Sequence, residues 1–257
     1  MKRIITFVLL LIFIFSLSSC KKKVSQPTLP PSQTMEFNDA NFNNSQKVVG
    51  AGNWFTAAVT VGVWSAIVKV GFAIPIIAYK HALDQTPQRV DDNTWLWQYD
   101  VKIGFVDHHV KLYGSVDPNE DMVSWEMYVD DFNWFVGENN IEATQGYWIF
   151  YQNSDQPKEA LKVEWTFNYS DSTGTAKYIV IDRDANNYNS YLSYGNTLTG
   201  LYNCFFEINN TADTSSVQIQ WNDQTHIGRI KSEKYFGDQD WHCWDEQYQD
   251  CQCPSAQ

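Results

Sequence analysis

From Thr94 onward, apolar and polar residues alternate with a period of two, and they do so almost to the C-terminus. Trp95, Trp97, Tyr99, Val101 and Ile103 share one parity, while Gln98, Asp100 and Lys102 share the other. Successive side chains of an extended strand point to opposite faces, so the pattern specifies strands with one buried and one wet face, the mark of antiparallel sheet. The alternation recurs at 106–116, 123–129 and 161–169, with shorter runs at 146–152, 176–183, 190–194, 202–208, 217–221 and 226–231. Turn-forming clusters separate the runs: Asp117-Pro118-Asn119, Gly137-Glu138-Asn139-Asn140, Ser172-Thr173-Gly174, Asn186-Asn187 and Asn209-Asn210. Connections this short make hairpins rather than crossovers. The expected fold is mainly β: a large curved antiparallel meander sheet, open and barrel-like, of about nine to eleven strands.

Residues 47–83 carry a different pattern. They are apolar nearly all round, with Lys69 the one charge between Trp54 and Ala78 and Pro75 the one proline. This predicts one long N-terminal helix, kinked at Pro75. A helix apolar on every side must be enclosed by protein or by lipid. Its length would allow a membrane span, but a mid-helix lysine is costly in a bilayer. The expectation is that the sheet wraps the helix, each supplying the apolar cover the other needs.

The first twenty residues read as an export signal. Lys2 and Arg3 precede an apolar core from Ile4 to Phe15, which is too short for a plain transmembrane anchor, and the segment ends Leu17-Ser18-Ser19-Cys20. That ending resembles the lipobox of bacterial lipoproteins. The resemblance implies acylation of Cys20, cleavage just before it, and a membrane attachment through acyl chains. In that family an Asp directly after the cysteine marks inner-membrane retention, and Lys21 stands there instead. The resemblance thus implies the outer membrane, with the protein facing the periplasm. Three lysines, Lys21 to Lys23, also favour anionic head groups. Residues 21–46 are rich in Lys, Pro, Ser, Gln and Asn and read as a disordered tether. The expected organisation is a signal peptide at 1–19, the lipidated cysteine and tether at 20–46, and a single helix-plus-meander domain at 47–257.

Composition narrows the function classes. The formal charge of the chain is −12 and becomes more negative once Lys2 and Arg3 are removed. An acidic surface argues against a nucleic-acid partner, which needs a basic stripe. The 11 Trp, 14 Tyr and 15 Phe suit strands and supply a sizeable core.

Few motifs suggest chemistry. Asp107-His108-His109 lies on a predicted strand, where the two imidazoles point to opposite faces and cannot share one ion. His108 has the parity of Val110 and Leu112 and reads as a hydrogen-bonded histidine of the core. Asp130-Asp131 and Asp182/Asp184 have the residue types of an acid–base pair but sit at strand ends, where turns favour acidic residues. Four cysteines remain besides Cys20: Cys204, Cys243, Cys251 and Cys253. In an oxidising compartment they favour a structural disulfide over a metal site. Cys251 and Cys253 are awkward partners for each other, so Cys243 is expected to join one of them, leaving Cys204 to pair or stay reduced. Trp134, Trp148 and Trp241 escape the core parity and are candidate surface platforms for a glycan. Asp171-Ser172-Thr173 resembles an O-glycosylation acceptor of some Gram-negative bacteria. The sequence contains no G-x-S-x-G, no H-E-x-x-H and no phosphate-cradling glycine loop.

Taken whole, the chain resembles a group of uncharacterised Gram-negative outer-membrane lipoproteins. The likeness rests on the lipobox, the apolar helix, Asn93-Thr94-Trp95-Leu96-Trp97-Gln98-Tyr99, Gly146-Tyr147-Trp148, Gly228-Arg229 and Cys243-Trp244-Asp245. It brings no activity with it. The expected function is a non-enzymatic envelope lipoprotein, a scaffold or accessory binding protein for an unidentified envelope protein, with no cofactor, no catalytic residues and no metal. The alternative is a carrier of lipid or another apolar ligand in a lipocalin-like or half-barrel sheet. A glycan-binding module is a third class. The helix discriminates between the first two, because a helix filling the sheet leaves a carrier no cavity.

Overall fold

The structure is a computed structural model and describes residues 24–36, 39–42, 52–152 and 157–254. The expected signal segment 1–19 and Cys20 lie outside the described residues. Fourteen strands form one antiparallel sheet in which every strand pairs with its neighbours in sequence. They are β1 (Gln88–Arg89), β2 (Thr94–Ile103), β3 (Val106–Asp117), β4 (Met122–Val129), β5 (Phe132–Asn140), β6 (Gln145–Gln152), β7 (Lys158–Asn168), β8 (Thr173–Val180), β9 (Tyr191–Gly195), β10 (Cys204–Asn210), β11 (Ser215–Trp221), β12 (Gly228–Lys231), β13 (His242–Trp244) and β14 (Asp250–Cys251). The sheet is open, with β1 and β14 as its edges.

The meander stands as the alternation implies, with more strands than the nine to eleven expected. Strand β5 accounts for one: its Gly137-Glu138-Asn139-Asn140 has the composition of a turn but lies in the ladder, paired with β4 and β6. Asn139 is there an inward residue, fully buried, and accepts a hydrogen bond from the Trp125 indole N–H. The other additions, β1, β13 and β14, have only two or three residues each, too few to show a period.

The inward face is paved with indoles, and glycines make room for them. Gly114, Gly137, Gly146 and Gly228 lie directly across the ladder from Trp125, Trp148, Trp165 and Trp244. A Cβ on Gly137 would come within 2.3 Å of the Trp148 ring, and one on Gly228 within 2.0 Å of the Trp244 ring. The rings therefore lie flat across the neighbouring backbone, a cross-strand arrangement that fills the gap a glycine leaves. Trp148 sits at the centre, stacked on Trp165 at 6.1 Å and edge-on to Phe135 and Tyr79 at 5.2 and 5.6 Å.

The apolar segment forms two helices, α1 (Asn53–Gly71) and α2 (Ala73–Ala82), followed far downstream by the short α3 (Glu233–Phe236). The break falls at Phe72, three residues before the proline expected to kink the helix. Pro75 thereby sits in the first turn of α2, where a missing N–H costs nothing, and the Ile76 N–H makes the bond to the Phe72 carbonyl. The N-terminus of α1 rests on the last strands. The Asn53 N–H donates to Asp250 Oδ1 at 2.7 Å, its side-chain amide donates to the Cys243 carbonyl at 2.9 Å, and Trp54 packs on Tyr248. At the other end Phe72 packs on Phe150 of β6, and the Tyr99 hydroxyl of β2 donates to the Ala78 carbonyl of α2.

Between these supports a third layer intervenes, and it corrects the expectation of a disordered tether over 20–46. Residues 24–36 and 39–42 pack against the sheet. Met35 and Thr34 are buried, the Trp148 indole donates to Thr34 Oγ1, and the Tyr178 hydroxyl donates to the Met35 carbonyl. Tyr79 and Tyr194 donate to the carbonyls of Pro30 and Gln33, and Phe42 meets Trp221 edge-on. Composition hid this because the segment is held by its backbone carbonyls and a few apolar anchors, not by a hydrophobic face of its own. Among the described residues, packing against the core extends from Val24, ahead of residue 47; the remainder of 20–46 lies outside the described residues.

Candidate functional site

Three surfaces could meet a ligand or partner, and residue chemistry separates them. The first is a cavity at the end of the sheet where the β7–β8 turn, β9 and the end of β11 meet Gln33, Thr34, Glu36 and Asn41. Its volume is about 160 Å³, and it is lined by Thr34, Glu36, Tyr194, Asn196, Cys204, Trp221 and Asp223 among others. Most of its polar groups already have partners: Glu36 pairs with Lys80 at 2.9 Å, and Asp223 accepts from the Asn203 amide at 2.6 Å. The Trp221 indole nitrogen is buried without a hydrogen-bond partner. Burial, and then the charge of Asp223, push the Cys204 thiol up to about 12, so it is protonated and inert as a nucleophile at neutral pH. Ligand pockets for drug-sized molecules run about 300–1,000 Å³, and this cavity falls below that range.

The second is an open groove of about 570 Å³ on the outward face of the sheet, with Tyr147 and Phe205 beside Glu138, Lys162, Glu164 and Lys177. Its charges satisfy one another and its rings. The Lys162 ammonium lies 2.8 Å from Glu164 and 5.0 Å above Tyr147, and Lys177 lies 4.1 Å above Tyr191.

The third is the outward face of α1. Trp54, Ala57, Val61, Ser65 and Val68 turn inward and are buried, whereas Val59, Val63, Ile67 and Val70 are 48, 54, 55 and 79% exposed. These four follow the spacing of one helical face. The expected enclosure of the apolar helix is thus realised on one side only. The covered side is pinned by a charged contact: Asp39 accepts from Ser65 Oγ at 2.5 Å and from Lys69 Nζ at 2.8 Å. Burial pushes the Asp39 carboxyl up, but the hydrogen bonds from Lys69 and Ser65 outweigh it and leave it below the ordinary carboxylate value.

The remaining sequence candidates resolve into structural roles. A disulfide joins Cys243 to Cys253, with Cα atoms 5.1 Å apart; Cys204 is buried and free, and Cys251 is exposed and free on β14. His108 and His109 diverge, His108 Nδ1 meeting Asp130 Oδ2 at 2.6 Å and His109 Nδ1 meeting Asp100 Oδ1 at 2.8 Å. Asp130 and Asp131 both have positive φ and form the whole two-residue β4–β5 turn, which explains their residue type. Asp182 and Asp184 both bind Lys158, rather than facing a common proton. Asp171 caps the β7–β8 turn by accepting from the Thr173 N–H and hydroxyl at 3.0 and 2.7 Å.

The expected tryptophan platforms at Trp134 and Trp148 are corrected. Trp148 is fully buried, and Trp134 is buried because it is the extra residue of a bulge: Met127 pairs with Phe135 and Tyr128 with Asn133. Trp241 is half-buried, with the Arg229 guanidinium 4.2 Å above its ring. Among the described residues no group of three His, Cys, Asp or Glu side chains is placed to hold a metal ion. The exposed stripe on α1 escaped sequence reasoning, since a helix apolar on every side gives no sign of which side is bare. Comparison with known proteins returns no matching family model, no matching curated protein and no matching solved structure.

Proposed function

We propose that this chain is a non-enzymatic lipoprotein of the bacterial outer membrane, anchored through acyl groups on Cys20, that serves as a scaffold or accessory binding protein for another envelope protein. The observation that carries this reading is the filled inner face of the sheet. Residues 32–36 and 39–42, α1 and α2 occupy that face against a continuous core running from Trp95 to Trp244. A carrier of acyl chains needs a roomy apolar hollow, and the cavity left beside Gln33, Thr34, Glu36 and Asn41 is only about 160 Å³. What the protein offers is surface: a broad charged sheet face and a bare apolar helix. Anchoring is supported by Lys2 and Arg3, the apolar run Ile4–Phe15 and Leu17-Ser18-Ser19-Cys20.

The test is crosslinking of the full chain in intact cells, with mass identification of adducts, beside extraction of the purified protein for bound lipid. A recurrent envelope-protein adduct, with no lipid beyond the covalent acyl groups, is the expected result. Stoichiometric extractable lipid and no protein adduct would return the carrier reading.

A further inference from the structure

We propose that the uncovered face of α1, carrying Val59, Val63, Ile67 and Val70, lies on the surface of a lipid bilayer as a second membrane contact beside the N-terminal anchor. The inference builds on the anchoring proposed above and adds which face of the body meets the membrane.

Three observations converge on that face. The stripe covers eleven residue steps of helix, about 16 Å at 1.5 Å per residue, and its side chains face away from the sheet. In a chain of net charge −12, residues 53–83 contain no Asp or Glu at all. The two lysines of the pair are already neutralised from beneath, Lys69 by Asp39 and Lys80 by Glu36. The face is therefore a neutral apolar island on an acidic molecule, where contact with lipid strips little hydration from charge.

The length of chain before the packed body supplies the third observation. Val24, four residues after Cys20, already packs against the core. At 3.8 Å between successive Cα atoms, an acyl anchor on Cys20 is held within about 15 Å of the body. A body so close to its anchor cannot stand clear of the bilayer as a 26-residue tether would allow, and it must turn some face to the lipid. The face bearing α1 gains from that contact. Other faces carry paired charges, such as Lys162–Glu164 and Lys111–Asp131, that would lose water.

The geometry also fixes how the helix meets lipid. Asn53–Gly71 is long and apolar enough to cross a membrane. Crossing would carry the Asp39–Lys69–Ser65 cluster and the Trp54–Tyr248 contact out of their packing. A helix with one committed face and one bare apolar face lies in the interface plane instead.

The experiment places the photo-crosslinker p-benzoylphenylalanine at Val63 in the full chain, with Lys177 on the outward sheet face as the control position. Cells are grown with radiolabelled phosphate, which marks phospholipid head groups but not the acyl groups on Cys20, and irradiated; the N-terminal peptide is weighed separately for acyl groups. The expected result is phospholipid label on the chain substituted at 63 and its loss at 177. A covalent dimer or a protein adduct at 63 without phospholipid label overturns the proposal, as does label equal at the two positions. An acylated N-terminus with position 63 unlabelled sinks this contact while leaving the anchor. Label at 63 on a chain with no acyl group keeps this contact and sinks the anchor.

Discussion

The central strands and the last three are built on different principles. Strands β3 to β7 run eight to twelve residues each, and their inward side chains include Leu112, Trp125, Met127, Phe135, Trp148 and Phe150, all buried to within two per cent of full exposure loss. Strands β12, β13 and β14 have four, three and two residues. Ladders that short bury too little to offset the entropy of ordering them. They are held instead by the Cys243–Cys253 disulfide, by Trp244 lying across Gly228 with its indole donating to the His226 carbonyl, and by the docked end of α1. One continuous meander can draw its order from burial at its centre and from cross-linking at its C-terminal end.

Removing the centre of the buried half should cost the most stability. Trp148→Ala deletes a fully buried indole together with its contacts to Trp165, Phe135 and Tyr79 and its hydrogen bond to Thr34. The expected loss is about 3–5 kcal/mol, as for large-to-small changes in well-packed cores. Urea denaturation followed by tryptophan fluorescence measures it, with the midpoint falling and the slope unchanged. A loss near that of an exposed substitution would mean the central strands do not depend on this core.

Next in size is the covalent support. Cys243→Ser opens a loop of ten residues' separation, worth about 2–3 kcal/mol by the chain-entropy estimate. The effect should also be local. Hydrogen exchange should show lost protection at 242–251 and in the first turn of α1, while β3 to β7 keep theirs. Uniform loss across the sheet would erase the distinction between the two regions.

What could be read in advance follows the same division. The alternation of Trp95, Trp97 and Val101 against Gln98, Asp100 and Lys102 survives in the burial of β2, because every residue of a long strand repeats the same message. In β5 the message is overwritten: Asn139 is polar yet inward, bonded to Trp125, and the bulge at Trp134 shifts parity midway. Two- and three-residue strands contain no period at all. The N-terminal segment is the instructive failure. Low hydrophobicity there reads as disorder, but Tyr79, Tyr178 and Tyr194, distant in sequence, supply hydroxyls that bind its carbonyls. The pairing of Cys243 is narrowed by spacing alone; the choice of Cys253 over Cys251 follows from how the last strands fold back. For the α1 stripe, sequence shows an oily cylinder, and only the packing of residues 39–42 beneath Ser65 and Lys69 tells which side is left bare.

The smallest effect belongs to that packing, and it makes the contrast between regions depend on pH. Asp39 is buried and binds Lys69 and Ser65, which holds its carboxyl below the ordinary value of 3.8. A carboxyl depressed in the folded state contributes stability that is present above the unfolded value and is lost as pH falls through the folded one. Lowering the pH from about 5 should therefore loosen residues 39–42 and the middle of α1 while leaving β3 to β7 ordered. Asp39→Asn keeps the shape but removes the charge. It should cost about 1–2 kcal/mol at neutral pH, the scale of hydrogen bonds to a charged group, reduced because Lys69 is partly exposed. It should also flatten the acid dependence of exchange at residues 60–70. The same loosening in wild type and Asp39→Asn would assign the acid response to another carboxylate.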